Sequence, residues 1–211
     1  MTTARISEIF DSIQGEGIYA GIPMTFIRFQ YCPFHCSYCD TEYAQSKTGG
    51  VEMELGEILD QVKHSWVCIT GGEPLCQGAA FRNLSEGLHQ YSHKITVETS
   101  GLLPLPREDI IESWVVDVKC PSSGEAERNI WSNLKRLGPQ DQIKFVVGGS
   151  EDLVYAQETL ELRSPLFPHI LISPIWGKGM EEACVDFVKS HEGTRLSLQL
   201  HKIIWKSKRG V

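Results

Sequence analysis

Several things are missing from this 211-residue chain, and each absence narrows what it does. No run of about 18 apolar residues occurs, so no membrane span is expected. The first residues have no apolar core of the kind a secretory signal carries, and the expected home is the cytoplasm. No repeat, low-complexity tract or break in composition divides the chain. With 41% hydrophobic residues it reads as a single domain, 1–211, around one sizeable core. Positive charge is scarce: a net charge of −7 and a pI near 5.5 argue against the broad electrostatic footprint of a nucleic-acid binder. On that acidic background the basic tail Lys202, Lys206, Lys208 and Arg209 reads as a solvated or substrate-capping segment rather than an RNA contact. A second C-x2-C pair is also missing. The seven cysteines leave one over from any disulfide scheme, which suits a reducing compartment where thiols serve metals.

What is present is concentrated at Cys32-Pro33-Phe34-His35-Cys36-Ser37-Tyr38-Cys39, three thiolates at the spacing C-x3-C-x2-C. Four cysteines would close a tetrahedral zinc or iron–sulfur site, whereas three hold a cubane cluster and leave one iron without a protein ligand. The competing arrangement is a structural zinc completed by His35 or a distant cysteine, but structural zinc usually takes two paired knuckles. Tyr38 adds a ring face for a flat ligand. Of the remaining cysteines, Cys68 and Cys184 have the surroundings of packing residues, while Cys76 and Cys120 follow strand ends, on the side of the site.

A second element, Thr70-Gly71-Gly72-Glu73-Pro74, directly follows the apolar run Trp66-Val67-Cys68-Ile69. Two glycines at the end of a predicted strand let backbone approach a ligand closely, and Glu73 supplies an acceptor for an ammonium group.

Periodicity predicts strands at Met24–Tyr31, Trp66–Thr70, Lys94–Glu98, Trp114–Val118, Gln142–Val147, His169–Ser173 and Arg195–Leu200. Helices are predicted at Leu55–Lys63, Ala79–Tyr91, Ala126–Leu137, Glu151–Leu162 and Lys178–Ser190. Strands separated by helices imply a parallel sheet. The polar residues gather past the strands' carboxyl ends, as on the active face of an α/β barrel. The fold class is therefore α/β, an incomplete parallel β/α barrel open at one side.

Ahead of the first barrel strand lies Ser12-Ile13-Gln14-Gly15-Glu16-Gly17, and within the strand lies Arg28. Gln14 and Glu16 offer hydrogen bonds to an amide-bearing heterocycle, and Arg28 a bidentate fork for a carboxylate. A glycine-rich turn and a surface arginine explain the same residues equally well.

Cys32, Cys36, Tyr38 and Cys39 match the C-x3-C-x-aromatic-C signature, and the chain resembles the radical S-adenosylmethionine superfamily. More narrowly, the order S-I-Q-G-E-G, strand arginine, C-x3-C-x2-C-D-T, T-G-G-E-P and L-S-L-Q-L-H-K is similar to the 7-carboxy-7-deazaguanine synthase family. That resemblance spans Glu8 to the carboxyl terminus. It implies a 4Fe-4S cluster on Cys32, Cys36 and Cys39 that reductively cleaves S-adenosyl-L-methionine to a 5′-deoxyadenosyl radical. The implied reaction is ring contraction of 6-carboxy-5,6,7,8-tetrahydropterin to 7-carboxy-7-deazaguanine with loss of ammonia, towards queuosine and related 7-deazapurines. It further implies that Tyr38, Asp40, Gly72, Glu73, Asp117, Val118, Lys119 and Ser173, Pro174, Ile175 and Trp176 hold the cofactor. By the same resemblance Ile13, Gln14, Gly15, Arg28, Thr70 and Val211 contact the pterin, and Thr41 ligates Mg2+, for which a hydroxyl oxygen is a sensible donor. The bland role for Thr41 is a helix cap or turn. A homodimer, an electron donor of unspecified identity and a chain end folded over the substrate are also implied. Two other functions use part of this pattern: a radical activase acting on a protein partner, and a non-catalytic zinc module.

Overall fold

The computed structural model describes residues 2–106, 109–163 and 169–211. Nine strands form one sheet among the described residues: β1 (Thr3–Ile13), β2 (Pro23–Phe29), β3 (Val51–Glu54), β4 (Trp66–Gly71), β5 (Lys94–Thr99), β6 (Ser113–Val118), β7 (Gln142–Val147), β8 (Ile170–Pro174) and β9 (Thr194–Leu196). Their order is β3-β1-β2-β4-β5-β6-β7-β8-β9. From β2 to β9 every pairing is parallel, whereas β1 runs antiparallel to both β2 and β3. The seven predicted strands are these seven parallel ones, in an open, unclosed sheet, as the incomplete barrel requires. The α-helices are α1 (Leu55–Leu59), α2 (Gly78–Gln90), α3 (Ser150–Arg163), α4 (Glu181–Ser190) and α5 (Leu200–Trp205).

The helices cover one face of the sheet because their apolar residues recur every three or four positions. In α2, Ala80, Phe81, Leu84 and Leu88 are buried against Ile27, Phe29, Val67, Ile69, Ile95 and Val97. Further along, Ala156 of α3 and Cys184 and Phe187 of α4 close over Val118, Ile143, Phe145 and Ile172. Cys68 and Cys184 are buried packing residues, as expected, and so is Cys120, whose thiol points at the Val118 carbonyl within the core rather than into the site.

Three expectations change. The strands β1 and β3 were not anticipated; β3 is only four residues long, and the register of β1 shifts between Ile6 and Glu8, a bulge that breaks the alternation a strand is read from. The segment Ala126–Leu137 forms two short 3-10 turns, Ala126–Arg128 and Trp131–Arg136, instead of a helix. Asn129 exchanges two hydrogen bonds with the Lys119 backbone, and Asn133 bonds Leu105, Gly101 and Leu103. Such side-chain bonds to distant backbone compete with helix formation. Lastly, Arg195–Leu200 is strand only to Leu196, after which the chain turns into α5.

Candidate active site

Alternation along the strands sorts their side chains onto two faces. In β2, Ile27 and Phe29 enter the helix-covered core, which leaves Met24, Phe26 and Arg28 on the concave face. At the amino ends of the strands that face is apolar: Met24, Phe26 and Cys68 pack with Phe10, Tyr19, Ile22 and Trp66. Towards the carboxyl ends it turns polar, with Arg28, Thr70, Glu98, Asp117, Lys144 and Ser173 lining a cavity of about 650 Å³. A second cavity of about 270 Å³ adjoins it and shares Glu16, Arg28, Asp40, Thr41, Glu98 and His201.

The loop after β2 brings Cys32, Cys36 and Cys39 to the larger cavity, all three as free thiols. Its entry is a sharp turn at Tyr31, a non-glycine residue at φ 86°. Tyr31 is clamped by its N–H to the Ala44 carbonyl and by its own carbonyl, which accepts from Glu73 N. Gly72 makes this approach feasible: a Cβ there would lie 2.4 Å from the Tyr31 oxygen and 2.7 Å from that of Ala44. The far side of the loop is fixed by Ser37, bonded to the Ser122 and Ser123 carbonyls, and by the His35 N–H donating to Glu125 at 2.8 Å. His35 is exposed. Burial pushes the Cys32 thiol up to about 12 and raises that of Cys36. These thiols ionise when iron replaces their protons, so loading the site releases protons. Three soft donors on one half-buried loop, with no fourth beside them on the same loop, fit a cubane cluster with an open iron. Burial first and then the Glu73 charge raise Cys76 to about 11, and Cys76 lies close enough to Cys32 to raise that thiol in turn.

Glu73 differs from its expected role. The carboxylate is fully buried and accepts from Leu75 N, Thr99 Oγ1, Ser100 N and Ser100 Oγ. Burial raises its pKa despite these bonds. It braces the β4 loop against the end of β5 and has no oxygen left over for an ammonium. Gly72 does line the cavity, as do Tyr38, Asp40, Asp117, Lys119, Ser173, Pro174, Ile175 and Trp176. Val118 does not: alternation turns its side chain into the core between Asp117 and Lys119. Asp117 is flanked by Lys119 at 2.6 Å and Lys144 at 3.3 Å. Burial works against its charge, but the two ammonium groups outweigh burial and hold its pKa below the ordinary value.

On the other side, Ile13, Gln14, Gly15, Arg28 and Val211 all line the smaller cavity, and Thr70 lines the larger. Gly15 is pressed against α5, where a Cβ would fall 2.3 Å from His201 Nδ1; Leu200 N also donates to the Gly15 carbonyl. The S-I-Q-G-E-G segment thereby spans the open side of the barrel, reaching Gln142 of β7 through Ile18 N and Ser197 through Gly17 N. Arg28 Nε donates to Glu8 at 2.8 Å, and Glu8 also accepts from Tyr43. Glu98 was named in the sequence only as part of a polar strand end, yet it accepts from Gln14 at 3.1 Å and Thr70 at 3.0 Å beside Arg28. Lys144 was missed, although a lysine in the apolar run Ile143–Val147 was the available signal. Thr41 makes no capping bond; its hydroxyl lies 3.7 Å from Cys39 Sγ and lines both cavities.

This layout, a parallel half-barrel with the cysteine loop after its first parallel strand and the glycine loop after its second, defines the class of radical S-adenosylmethionine iron–sulfur enzymes. A model of the "4Fe-4S single cluster domain" matches residues 13–108. The chain is 40% identical over 204 residues to the 7-carboxy-7-deazaguanine synthase of Methanospirillum hungatei, covering 95% of this chain and 85% of that one. It is 35% identical to the enzyme of the same name from Thermoplasma acidophilum, covering 98% and 99%. In three dimensions it is similar to the crystal structure of QueE from Escherichia coli, with a TM-score of 0.73 and 25% identity over 94% of this chain and 95% of that one. The chain belongs to the 7-carboxy-7-deazaguanine synthase family.

Proposed function

We propose that this chain catalyses the ring contraction of 6-carboxy-5,6,7,8-tetrahydropterin to 7-carboxy-7-deazaguanine with loss of ammonia, in queuosine and 7-deazapurine biosynthesis. The observation that carries this reading is the joining of two half-sites: the cysteine and glycine loops line the larger cavity, Gln14 lines the smaller one beside it, and Arg28 and Glu98 line both. When bound, the cluster and S-adenosyl-L-methionine supply the electron and the hydrogen-abstracting radical.

The residues of the chain do the placing. Cys32, Cys36 and Cys39 would hold the cluster. Tyr38, Asp40, Gly72, Asp117, Lys119 and Ser173–Trp176 surround the cofactor, with the Val118 contribution limited to its backbone and that of Glu73 to bracing the loop. Arg28, with Nε engaged by Glu8 and Nη1 donating to the Gly71 carbonyl at 3.4 Å, presents the remaining N–H donors of its terminal nitrogens to the pterin carboxylate. Glu98, oriented by Gln14 and Thr70, accepts from the N–H groups of the aminopyrimidinone ring, while Ile13, Gly15 and Val211 wall the pterin in. Rigid strands and a walled cavity keep water from the reacting carbon and hold one C–H bond in reach. Thr41, whose hydroxyl is free of any cap bond, would supply an oxygen donor to Mg2+.

Three features of this reading extend to the surroundings. The working unit is a homodimer in the cytoplasm, and a separate redox protein delivers the electron. No described helix is long and apolar enough to cross a membrane. The deciding experiment is anaerobic turnover of the reconstituted protein with the carboxypterin, reductant, Mg2+ and S-adenosyl-L-methionine. Formation of 7-carboxy-7-deazaguanine is the expected result. A protein that cleaves the cofactor but leaves the carboxypterin unchanged, and acts on a protein partner instead, would overturn the reading.

A further inference from the structure

Lys144 stands in the cavity wall, on the concave face of β7. Its ammonium group is buried between two carboxylates from opposite halves of the site. It lies 3.0 Å from Glu16 Oε2 and 3.3 Å from Asp117 Oδ1. Asp117 belongs to the cofactor half and is paired through its other oxygen with Lys119 at 2.6 Å. Glu16 belongs to the S-I-Q-G-E-G segment of the substrate half, and its other oxygen accepts from Gln199 at 3.0 Å. The result is a continuous chain, Lys119–Asp117–Lys144–Glu16–Gln199, with two positive and two negative groups, and every member lines the cavity. Burial alone would discharge Lys144, but Asp117 first, then Glu16 and Glu98, outweigh it and keep the ammonium protonated.

Such a chain is an expensive way to fill a barrel. Apolar residues of similar volume stabilise a core as well or better than buried ion pairs do. What an alternating chain adds is geometry, because each group has one low-energy place between its neighbours. Moving Asp117 moves Lys144, and moving Lys144 moves Glu16.

We propose that Lys144 is a positioning residue that couples the two half-sites, so that occupancy of the substrate half sets Asp117 and Lys119 for the cofactor and the reverse. The inference rests on the function proposed above. Coupling of this kind is reciprocal and for two sites typically amounts to about 5- to 150-fold in affinity. It would keep cofactor cleavage low until the pterin is in place.

The test uses cluster-reconstituted protein, with S-adenosyl-L-methionine affinity measured by anaerobic equilibrium dialysis, without reductant, in the absence and presence of the carboxypterin. Wild-type protein is expected to bind the cofactor more tightly by at least about fivefold when the pterin is present. In Lys144→Met the iron content should stay at the wild-type level while that enhancement falls to about one. Under reducing conditions, 5′-deoxyadenosine formed per 7-carboxy-7-deazaguanine should rise. Because Lys144→Met leaves Glu16 without its cation and Asp117 with Lys119 alone, thermal stability is read in parallel on Lys144→Met/Glu16→Gln, which removes one charge of each sign. If Lys144 acts by positioning, the double variant regains stability and remains uncoupled. Wild-type enhancement in either variant, or no enhancement in the wild type, overturns the inference and leaves the function standing. Wild-type protein that binds the cofactor but neither binds nor converts the carboxypterin would overturn the function and this inference together.

Discussion

Gly72 sits where the cluster loop and the cofactor loop touch backbone to backbone, and one methyl group there meets two carbonyl oxygens closer than 3 Å. The strain has no flexible side chain to absorb it, since the colliding atoms belong to Tyr31 and Ala44. Gly72→Ala should therefore cost about 1–3 kcal/mol, as overpacking usually does, and push apart the turn that presents Cys32. Iron per chain after reconstitution should fall with the melting temperature. Wild-type iron content at a wild-type melting temperature would show that the two loops do not depend on each other. Arg28 carries a second prediction at this scale. Glu8 occupies its Nε and the Gly71 carbonyl accepts from Nη1 at 3.4 Å, so in the proposed complex the substrate carboxylate meets the remaining N–H donors of the terminal nitrogens, a planar set that lysine cannot reproduce. Arg28→Lys should lose about 1.5–3 kcal/mol of substrate binding, roughly ten- to hundredfold in Kd, with cluster content unchanged. Equal Kd values for the two proteins would remove the carboxylate from that contact.

Elements were legible in the sequence wherever one periodicity ruled a whole segment. Lys94–Glu98 and Gln142–Phe145 alternate polar and apolar residues, and α2 keeps its apolar stripe from Ala80 to Leu88. Legibility failed where a tertiary partner overrode local preference: the bulge in β1, the Asn129 and Asn133 bonds across loops, and the three-residue β9. The site followed the same division. Cys32, Cys36, Cys39 and Gly72 announce themselves by spacing, but the direction of Glu73 depends on Thr99 and Ser100, which no local pattern reveals. Asp152 was invisible for that reason too. It lies on the first turn of α3, fully buried, and its carboxylate accepts from Ser122 N, Gly148 N, Gly149 N and Ser122 Oγ. It thus ties together the loops after β6 and β7, both of which line the cofactor side. Asp152→Asn turns an acceptor into a donor against this ring of donors, at about 1–3 kcal/mol. The expected outcome is a lower melting temperature and weaker cofactor binding, with substrate binding by the opposite half spared. Loss of substrate binding alone would mean that the two loops serve the pterin instead.

The chain as a whole closes on itself through its last six residues. After α5, Lys206 adopts a left-handed conformation at φ 57° and turns the tail back across the smaller cavity. There Arg209 stacks over the Tyr43 ring at 3.3 Å and comes within 4.0 Å of Glu8, the residue that holds Arg28. At the base of the tail, Lys202 pairs with Asp40, next to the third cysteine, at 3.0 Å. Ser207 to Val211 all line the cavity while Lys206 to Gly210 keep one side exposed, so the terminus is tethered through Arg209, whereas an untethered chain end ordinarily frays. In the proposed complex a strap of this kind would cover the substrate without contributing to the sheet or to the cluster loop. Deleting Arg209–Val211 should then leave fold and iron content intact, since neither core includes these residues. Turnover should drop, and 5′-deoxyadenosine formed per product should rise, because a wetter site lets the radical be quenched before it reaches substrate. Measuring both products in one anaerobic assay separates this from a simple loss of binding, which saturating carboxypterin would restore. A truncated protein with wild-type turnover and no excess 5′-deoxyadenosine would return the tail to the role of a solvated end.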